Sequence, residues 1–400
     1  MSKLAINGGL PIREKPFPSW PVWDENEEKA IYETVFSDKW GTLGPKAIQV
    51  GADFAEYAGV EYGLAVTGGT VALEIILRSL GIGYGDEVIL TAYTFVATVS
   101  AVAMTGATPV FADIELPSCN INPCGIEKHI TDKTKAVITV HVAGYPCDME
   151  MICKIAKKHS LFVIEDASHA HGTEYNGKKT GSLSDAAAFS CQNSKNITSG
   201  EGGMIVTDNK EIFAECWRYH NSGRTLDGLI KLGTNARMTE FQAGVLSEQL
   251  KRMPGQLKKR EENARYLIDK LAKIDGIMLP GADNNGRFDY AHSWFLFQIM
   301  MDSENKNRRG EWIKILTAEG IPISKGYPNL AREKFLSLDN SYFRKSTGSV
   351  IDYASAALPN TDTAAESAMW ITGRVFLGDK KDMDDIAEGF YKTVEYKNEK

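Results

Sequence analysis

Between about residues 60 and 250 the chain alternates short apolar, β-branched runs with stretches in which apolar positions recur every three or four residues. Short continuous apolar runs bounded by turn residues read as strands covered on both faces. The candidates are YGLAVT, DEVILT, TPVFADI, KAVITVHVA, LFVIEDA, AAAFSC and GGMIVT. Between them Val71 to Leu80, Phe95 to Met104, Met149 to His159 and Ile212 to Tyr219 carry the helical period. This alternation is the sign of βαβ units, so the expected class is α/β, with a mostly parallel central sheet flanked by helices.

The pattern then changes. QAGVLSEQLKRMPGQLKKREENARYLIDKLAKI is long, polar and helix-favouring, is expected to be interrupted at Pro254, and reads as a bridge between domains. Beyond it SWFLFQIMM, RRGEWIKILTAEG and a closing MDDIAEGFYKTVEY predict a smaller α+β unit. The expected division is a large α/β domain with an N-terminal arm over 1–250 and a smaller C-terminal α+β domain over 251–400. Phe241, Val245, Leu246 and Leu250 form an apolar stripe that either packs in a two-fold interface or covers the sheet of its own subunit.

Composition narrows the function. With 400 residues and 43% hydrophobic content the chain can fill a large core. A net charge of -7 argues against a nucleic acid or an anionic membrane as partner and leaves small molecules. The six cysteines form no CxxC pair, which signals neither zinc nor a redox dithiol and fits reduced thiols. No apolar run reaches signal-peptide or membrane-spanning length, so a cytoplasmic protein is expected.

Three stretches carry chemistry. In AVTGGTVALEIILRSL a strand ends at Thr67, turns through Gly68 and Gly69, and opens a helix at Thr70. Such a turn presents N–H groups and a helix dipole to an anion, although it also serves as a plain tight turn. In LFVIEDASHAHG a buried strand ends in Glu165 and Asp166, at the edge where open α/β sheets take ligands. Asp166 is there either a ligand-facing carboxylate or a cap. His169 and His171 follow without further metal ligands, so no metal is expected and His169 reads as hydrogen-bonded support for Asp166. In SCQNSKNITSGEGG, Lys195 stands among hydroxyls, amides and glycines past another strand end. Alone it is a solvated lysine as readily as an active amine. Together, an anion cradle, a carboxylate able to bond a pyridine nitrogen and a lysine able to form a Schiff base are the three attachments that pyridoxal 5'-phosphate requires.

VTGGTVALEI, LTAYTFVATVSAV, VHVAGYPCDM, VIEDASHAHG, FSCQNSKNITSGEGG and GTNARMTEFQAGVLSEQL resemble, in order and spacing, the sugar aminotransferases of the DegT/DnrJ/EryC1/StrS family. LAINGGLPIR and PNTDTAAESAMWITGRVFLG look closest to the branch of glutamine:scyllo-inosose aminotransferases and 3-amino-5-hydroxybenzoate synthases. The resemblance implies fold type I of the pyridoxal-phosphate-dependent transferases, like aspartate aminotransferase, in a homodimer with shared active sites. It implies transfer of an amino group from L-glutamine or L-glutamate to a keto-cyclitol or keto-sugar, such as scyllo-inosose, in aminocyclitol, amino-sugar or antibiotic biosynthesis.

Residue by residue, the resemblance makes Lys195 the Schiff-base lysine, Asp166 the partner of the ring nitrogen and His169 the support of that aspartate. Phe95 matches the aromatic that stacks on the ring, and Gly69, Thr70 and Ser190 match the phosphate cradle. Gln192 falls near the ring hydroxyl and the incoming substrate, and Asn235 matches an asparagine that reaches the phosphate from the neighbouring subunit. Two positions depart from the family pattern. Ser168 puts a hydroxyl where a methyl packs against the ring, and Ala236 replaces a tyrosine and is expected to reshape the mouth of the site. Nucleotide-linked keto-sugars and an aromatic route like that of 3-amino-5-hydroxybenzoate synthase remain alternative acceptors. A catalytically silent binding or regulatory module is the non-enzyme alternative, and Lys195 argues against the family's dehydratase branch, which has histidine there.

Overall fold

The structure is a computed structural model and describes residues 3–41, 43–225, 228–229, 231–279, 288–338 and 351–398. Seven strands build the main sheet: β1 (Tyr62–Val66), β2 (Glu87–Thr91), β3 (Thr108–Ala112), β4 (Thr134–Val140), β5 (Phe162–Asp166), β6 (Ala186–Ser190) and β7 (Gly203–Thr207). Their order is β1-β7-β6-β5-β4-β2-β3, and all neighbours are parallel except that β7 runs against both β1 and β6. These are the seven runs read from the sequence. The largest difference is at β4, expected to reach Ala143 but ending at Val140. The Asn120 side chain takes the Val142 N–H (2.9 Å) and Ala143 turns to φ +60°, which ends the ladder.

Helix α1 (Glu25–Val35) packs on the long helix Glu240–Leu271, while α2 (Pro45–Ala58), α3 (Gly69–Ser79), α4 (Val96–Thr105), α5 (Met149–Lys158) and α6 (Lys210–His220) pack around this sheet. In α3 the apolar positions Ala72, Leu73, Ile75, Ile76 and Leu77 are all buried, which fixes the helix against the sheet. Asp148 and Asn209 cap α5 and α6 by accepting first-turn N–H groups.

Helix α7 (Glu240–Leu271) starts on a capping box of Thr239 and Gln242 and runs through Pro254 without the expected interruption. Proline removes one intrahelical hydrogen bond. That loss is offset because both halves of the helix are anchored by burial: Leu246, Leu250 and Met253 lie in the core with Val50 and Phe54, while Ala264, Leu267 and Leu271 lie in a second core. Residue 250 thus falls inside a helix. Of the expected apolar stripe, Leu246 and Leu250 are buried within their own subunit, while Phe241 and Val245 are half-buried.

The second core is built on strands β8 (Ile277–Met278), β9 (Leu296–Met301), β10 (Ile323–Lys325) and β11 (Ala368–Thr372), antiparallel in the order β8-β9-β11-β10. Helices α8 (Arg309–Ala318) and α9 (Lys380–Asn398) close it with Trp312 and Phe390. Among the described residues no helix is long and apolar enough to cross a membrane.

The N-terminal arm is tied to this second unit by charge. Arg13 Nη2 and Nη1 lie 2.7 Å from Asp382 and 2.7 Å from Asp385 of α9, with all three side chains buried. Its guanidinium also donates to Pro16 O (3.0 Å) and lies over Phe17. Removing one member of a buried ion cluster leaves uncompensated charge, so Arg13→Met is expected to lower the free energy of unfolding by about 3 kcal/mol. Urea denaturation of both proteins checks this, and a loss below about 1 kcal/mol would put the cluster among weak surface pairs.

Candidate active site

The carboxyl ends of β4, β5 and β6 and the first turns of α3 and α4 meet around a cavity of about 840 Å³. This is where an open, mostly parallel sheet leaves a crevice, because the connections depart to opposite faces there.

Asp166, the last residue of β5, lines this cavity and is 6% exposed. Its Oδ2 accepts from the Thr98 hydroxyl (2.7 Å) and its Oδ1 from the Ser168 N–H (3.2 Å). Thr98 has a single proton, so donating it to Asp166 leaves its oxygen to accept from Thr94 (2.8 Å). The carboxylate is therefore held in one orientation by α4 and by its own turn.

Gly68 and Gly69 carry the chain from β1 into α3. A Cβ on Gly69 would stand 2.8 Å from Ser190 Cβ and 3.2 Å from Ser168 Oγ, so only glycine leaves this turn open against the end of β6. Thr70 follows in the first turn of α3, and Gly69, Thr70, Ser168 and Ser190 all line the cavity.

Lys195 sits on the loop after β6, partly buried, with its Nζ 4.6 Å from the centre of the Phe295 ring. Among the described residues it forms no ion pair or hydrogen bond through Nζ. Burial drives its pKa down to about 8, against the opposing pull of Asp166 and then Cys191. The amine is thus poised to lose its proton near neutral pH.

His169 differs from expectation. Its Nε2 lies 3.1 Å from the Tyr327 hydroxyl, and its buried Nδ1 has no partner. The ring lies nearly parallel to Phe295 (centroids 4.4 Å apart) and Tyr327 (6.0 Å), so it belongs to an aromatic stack and makes no hydrogen bond to Asp166. Burial, with Lys195 adding, holds it well below the usual histidine range and so in the neutral form. His171 faces away, against Phe54 and Phe189.

Phe95 caps α4 and presents a 55% exposed ring to the cavity. Gln192 also lines the cavity, with Oε1 accepting from the Ser194 N–H and hydroxyl (both 2.8 Å). Asn235 is exposed and lies outside the cavity of its own chain. Ala236 is 2% exposed in the core and its carbonyl accepts from Thr67 N (3.0 Å), so on its own chain it does not form the mouth of the site.

Several cavity residues carried no sequence signal. Trp20, Arg260, Phe295 and Tyr327 come from four distant segments, and Thr98, which reaches Asp166 without lining the cavity, was legible only as a position in a helix.

The sequence pattern of the DegT/DnrJ/EryC1/StrS aminotransferase family matches residues 22–390. The chain belongs to this family. It is 33% identical to the L-glutamine:2-deoxy-scyllo-inosose aminotransferase of Streptomyces paromomycinus over 98% of both chains. The crystal structure of 3-amino-5-hydroxybenzoic acid synthase superposes with a TM-score of 0.87 at 29% identity, over 96% of this chain and 100% of that one. A Streptococcus pneumoniae protein solved in its PMP form superposes with a TM-score of 0.84 at 26% identity, over 96% and 98%. The protein is a sugar aminotransferase that uses pyridoxal phosphate.

The cavity fits that cofactor on three counts: a glycine turn that a Cβ would fill, a buried carboxylate aimed into the cavity, and a desolvated lysine with no acidic partner. The lysine gives a prediction. With a pKa near 8 in the folded protein against about 10.4 unfolded, Lys195 disfavours folding while it is charged. Its contribution is absent below pH 8 and is regained as pH rises towards the unfolded value. Cofactor-free Lys195→Met is therefore expected to be more stable than wild type at pH 7, with the gap closing between about pH 8 and 10.5. Melting temperatures of both proteins across that range test it, and a pH-independent gap would mean packing alone separates them.

Proposed function

We propose that the protein transfers an amino group from L-glutamine or L-glutamate to a keto-cyclitol such as scyllo-inosose, in the making of an aminocyclitol or amino sugar. The observation that carries the chemistry is the convergence of Lys195, Asp166 and the Gly69 turn on one cavity. The named Streptomyces relative, matched over nearly its full length, supports the acceptor and donor. A nucleotide-linked keto-sugar is the second reading, favoured by Arg374, which lies exposed in the cavity wall.

Pyridoxal phosphate supplies an electron sink that makes the carbon bearing the amine acidic. In this reading Asp166 holds the ring nitrogen, and its carboxylate favours the protonated form. Gly69, Thr70 and Ser190 hold the phosphate, with Ser168 beside them, while Phe95 packs on the ring. Lys195 would hold the cofactor covalently at rest. Once free, its amine would take the proton from the donor's amine-bearing carbon and, in the second half-reaction, would return one to the carbon of the acceptor that becomes aminated, as an amine with a pKa near 8 can do in both directions. Gln192 meets the incoming substrate, and His169 acts through packing on Phe295 and Tyr327. The six free cysteines suit a reducing compartment, so we place the reaction in the cytoplasm.

We also infer a homodimer with shared sites. Tyr32, Phe36 and Trp40 leave large apolar surfaces exposed, as do Leu229 and Leu232, and Asn235 turns out of its own cavity. A phosphate carrying about two charges gains from donors beyond one glycine turn.

Two experiments test these readings. Lys195→Ala is expected to retain its fold and lose turnover with every ketone, and normal turnover would remove the central assignment. In the same assay, wild type carrying the aminated cofactor is offered a keto-cyclitol, a nucleotide-linked keto-sugar and an amino-shikimate-type ketone. Return of the cofactor's visible absorbance with the keto-cyclitol alone is the expected result. For the dimer, mixing inactive Lys195→Ala with an inactive Asn235→Ala protein should restore activity, since one site of each mixed dimer regains both residues. No recovery after proven subunit exchange would confine each site to one chain.

A further inference from the structure

Arg260 is a buried cation without a counter-ion. It lies on α7, is 1% exposed and lines the cavity. Its Nε donates to Gly373 O (3.3 Å), its Nη1 has no partner, and among the described residues no carboxylate pairs with it. One turn on, Asn263 donates to Phe376 O and Gly378 O (both 2.9 Å), which pins this part of α7 to the segment after β11. The guanidinium is therefore fixed in place.

It is also tied to the reactive loop. Its Cζ lies 5.3 Å from the centre of the Trp20 ring, and the Trp20 indole N–H donates to Asn193 O (2.6 Å), two residues before Lys195. Burial alone lowers the Arg260 pKa to about 9, which still leaves it charged at neutral pH. A buried charge with unused donors is unfavourable unless an anion completes it. The planar fork of arginine matches a carboxylate in two parallel bonds.

We propose that Arg260 anchors the α-carboxylate of the amino-acid donor. This rests on the donor being an amino acid, as the proposed function has it. Every such donor carries a carboxylate next to the carbon whose proton Lys195 takes, whereas a keto-cyclitol carries no anion. The diphosphate of a nucleotide-linked acceptor is the other source of negative charge. Its two or so charges are poorly matched by one enclosed guanidinium, and the exposed Arg374 is better placed for it.

The test compares L-glutamine with 4-aminobutanamide, its analogue without the carboxylate, by calorimetric binding to the cofactor-loaded Lys195→Ala protein, where no transfer follows. With Arg260 intact, loss of the carboxylate is expected to weaken binding on the order of 30-fold, the size of a charge-assisted hydrogen-bonded pair. With Arg260→Met added, the two ligands should bind alike. Arg260→Lys keeps the charge without the fork and serves if the methionine variant does not fold, and it should show an intermediate ratio. An unchanged ratio in either variant overturns the proposal. So does loss of uridine diphosphate binding in the variants with L-glutamine binding intact, which would assign Arg260 to a nucleotide diphosphate. Failure of wild type to transfer an amine from any L-amino acid would instead sink the functional reading, because the binding ratio is measured apart from turnover.

Discussion

Backbone lies on backbone where β7 begins. A Cβ on Gly203 would stand 2.4 Å from the carbonyl carbon of Gly68 and 2.8 Å from Gly69 N, so only glycine at 203 permits this contact. It sets the N-terminus of α3 at the end of β6, beside Ser190. Because β7 is antiparallel, its first residue lies at the same edge as the last residue of β6, and the loop between them is closed at its base by Cys191 N donating to Gly202 O (2.8 Å). Within that loop Lys195 N donates to Gln192 O (2.9 Å) and the Thr198 hydroxyl to Cys191 O (3.0 Å). The Gly68–Gly69 turn and the Lys195 loop thus share one frame, and neither can be repositioned without the other.

Around that frame the cavity combines desolvation with aromatic walls. Phe295 meets both the Lys195 amine (4.6 Å) and the His169 ring (4.4 Å), and Tyr327, stacked with His169, meets Trp370 edge-on at 4.8 Å. A cation over an aromatic face regains part of what it loses on leaving water. The neutral imidazole adds no charge to compete with the amine. Neither contact lowers the pKa of the lysine: burial does that, and the ring face offsets only part of it while no carboxylate stands at bonding distance.

The main sheet was legible because its strands are continuous apolar runs between turns, and the three chemical stretches were legible because each follows a strand end. What the sequence could not carry was contact between distant segments. The Thr98 hydroxyl reaches Asp166 across 68 residues, and Tyr327 takes the His169 nitrogen across 158. A histidine three residues after an aspartate looks like its partner until a distant tyrosine offers better geometry. An apolar stripe likewise names no partner: Leu246 and Leu250 face their own core, while the exposed Tyr32, Phe36 and Trp40 lie on and beside α1. Pro254 reads as a break, yet burial on both sides carries the helix across it.

An aminotransferase must receive two unlike molecules in one cavity in turn, so its fixed groups cannot all be complementary to both. The aromatic surfaces of Trp20, Phe295 and Tyr327 are indifferent to which molecule is present, because they offer faces and not paired donors. The buried guanidinium is not indifferent. Its field is strong where water is excluded, and its position is set by Gly373 and by the Trp20 ring before any ligand arrives, so little ordering is left for binding to supply. A ligand with one carboxylate satisfies it and an uncharged polyol leaves it bare. Each molecule is therefore recognised by what it brings to the same set of walls, and an exchange between them needs no rearrangement of the sheet that carries the site.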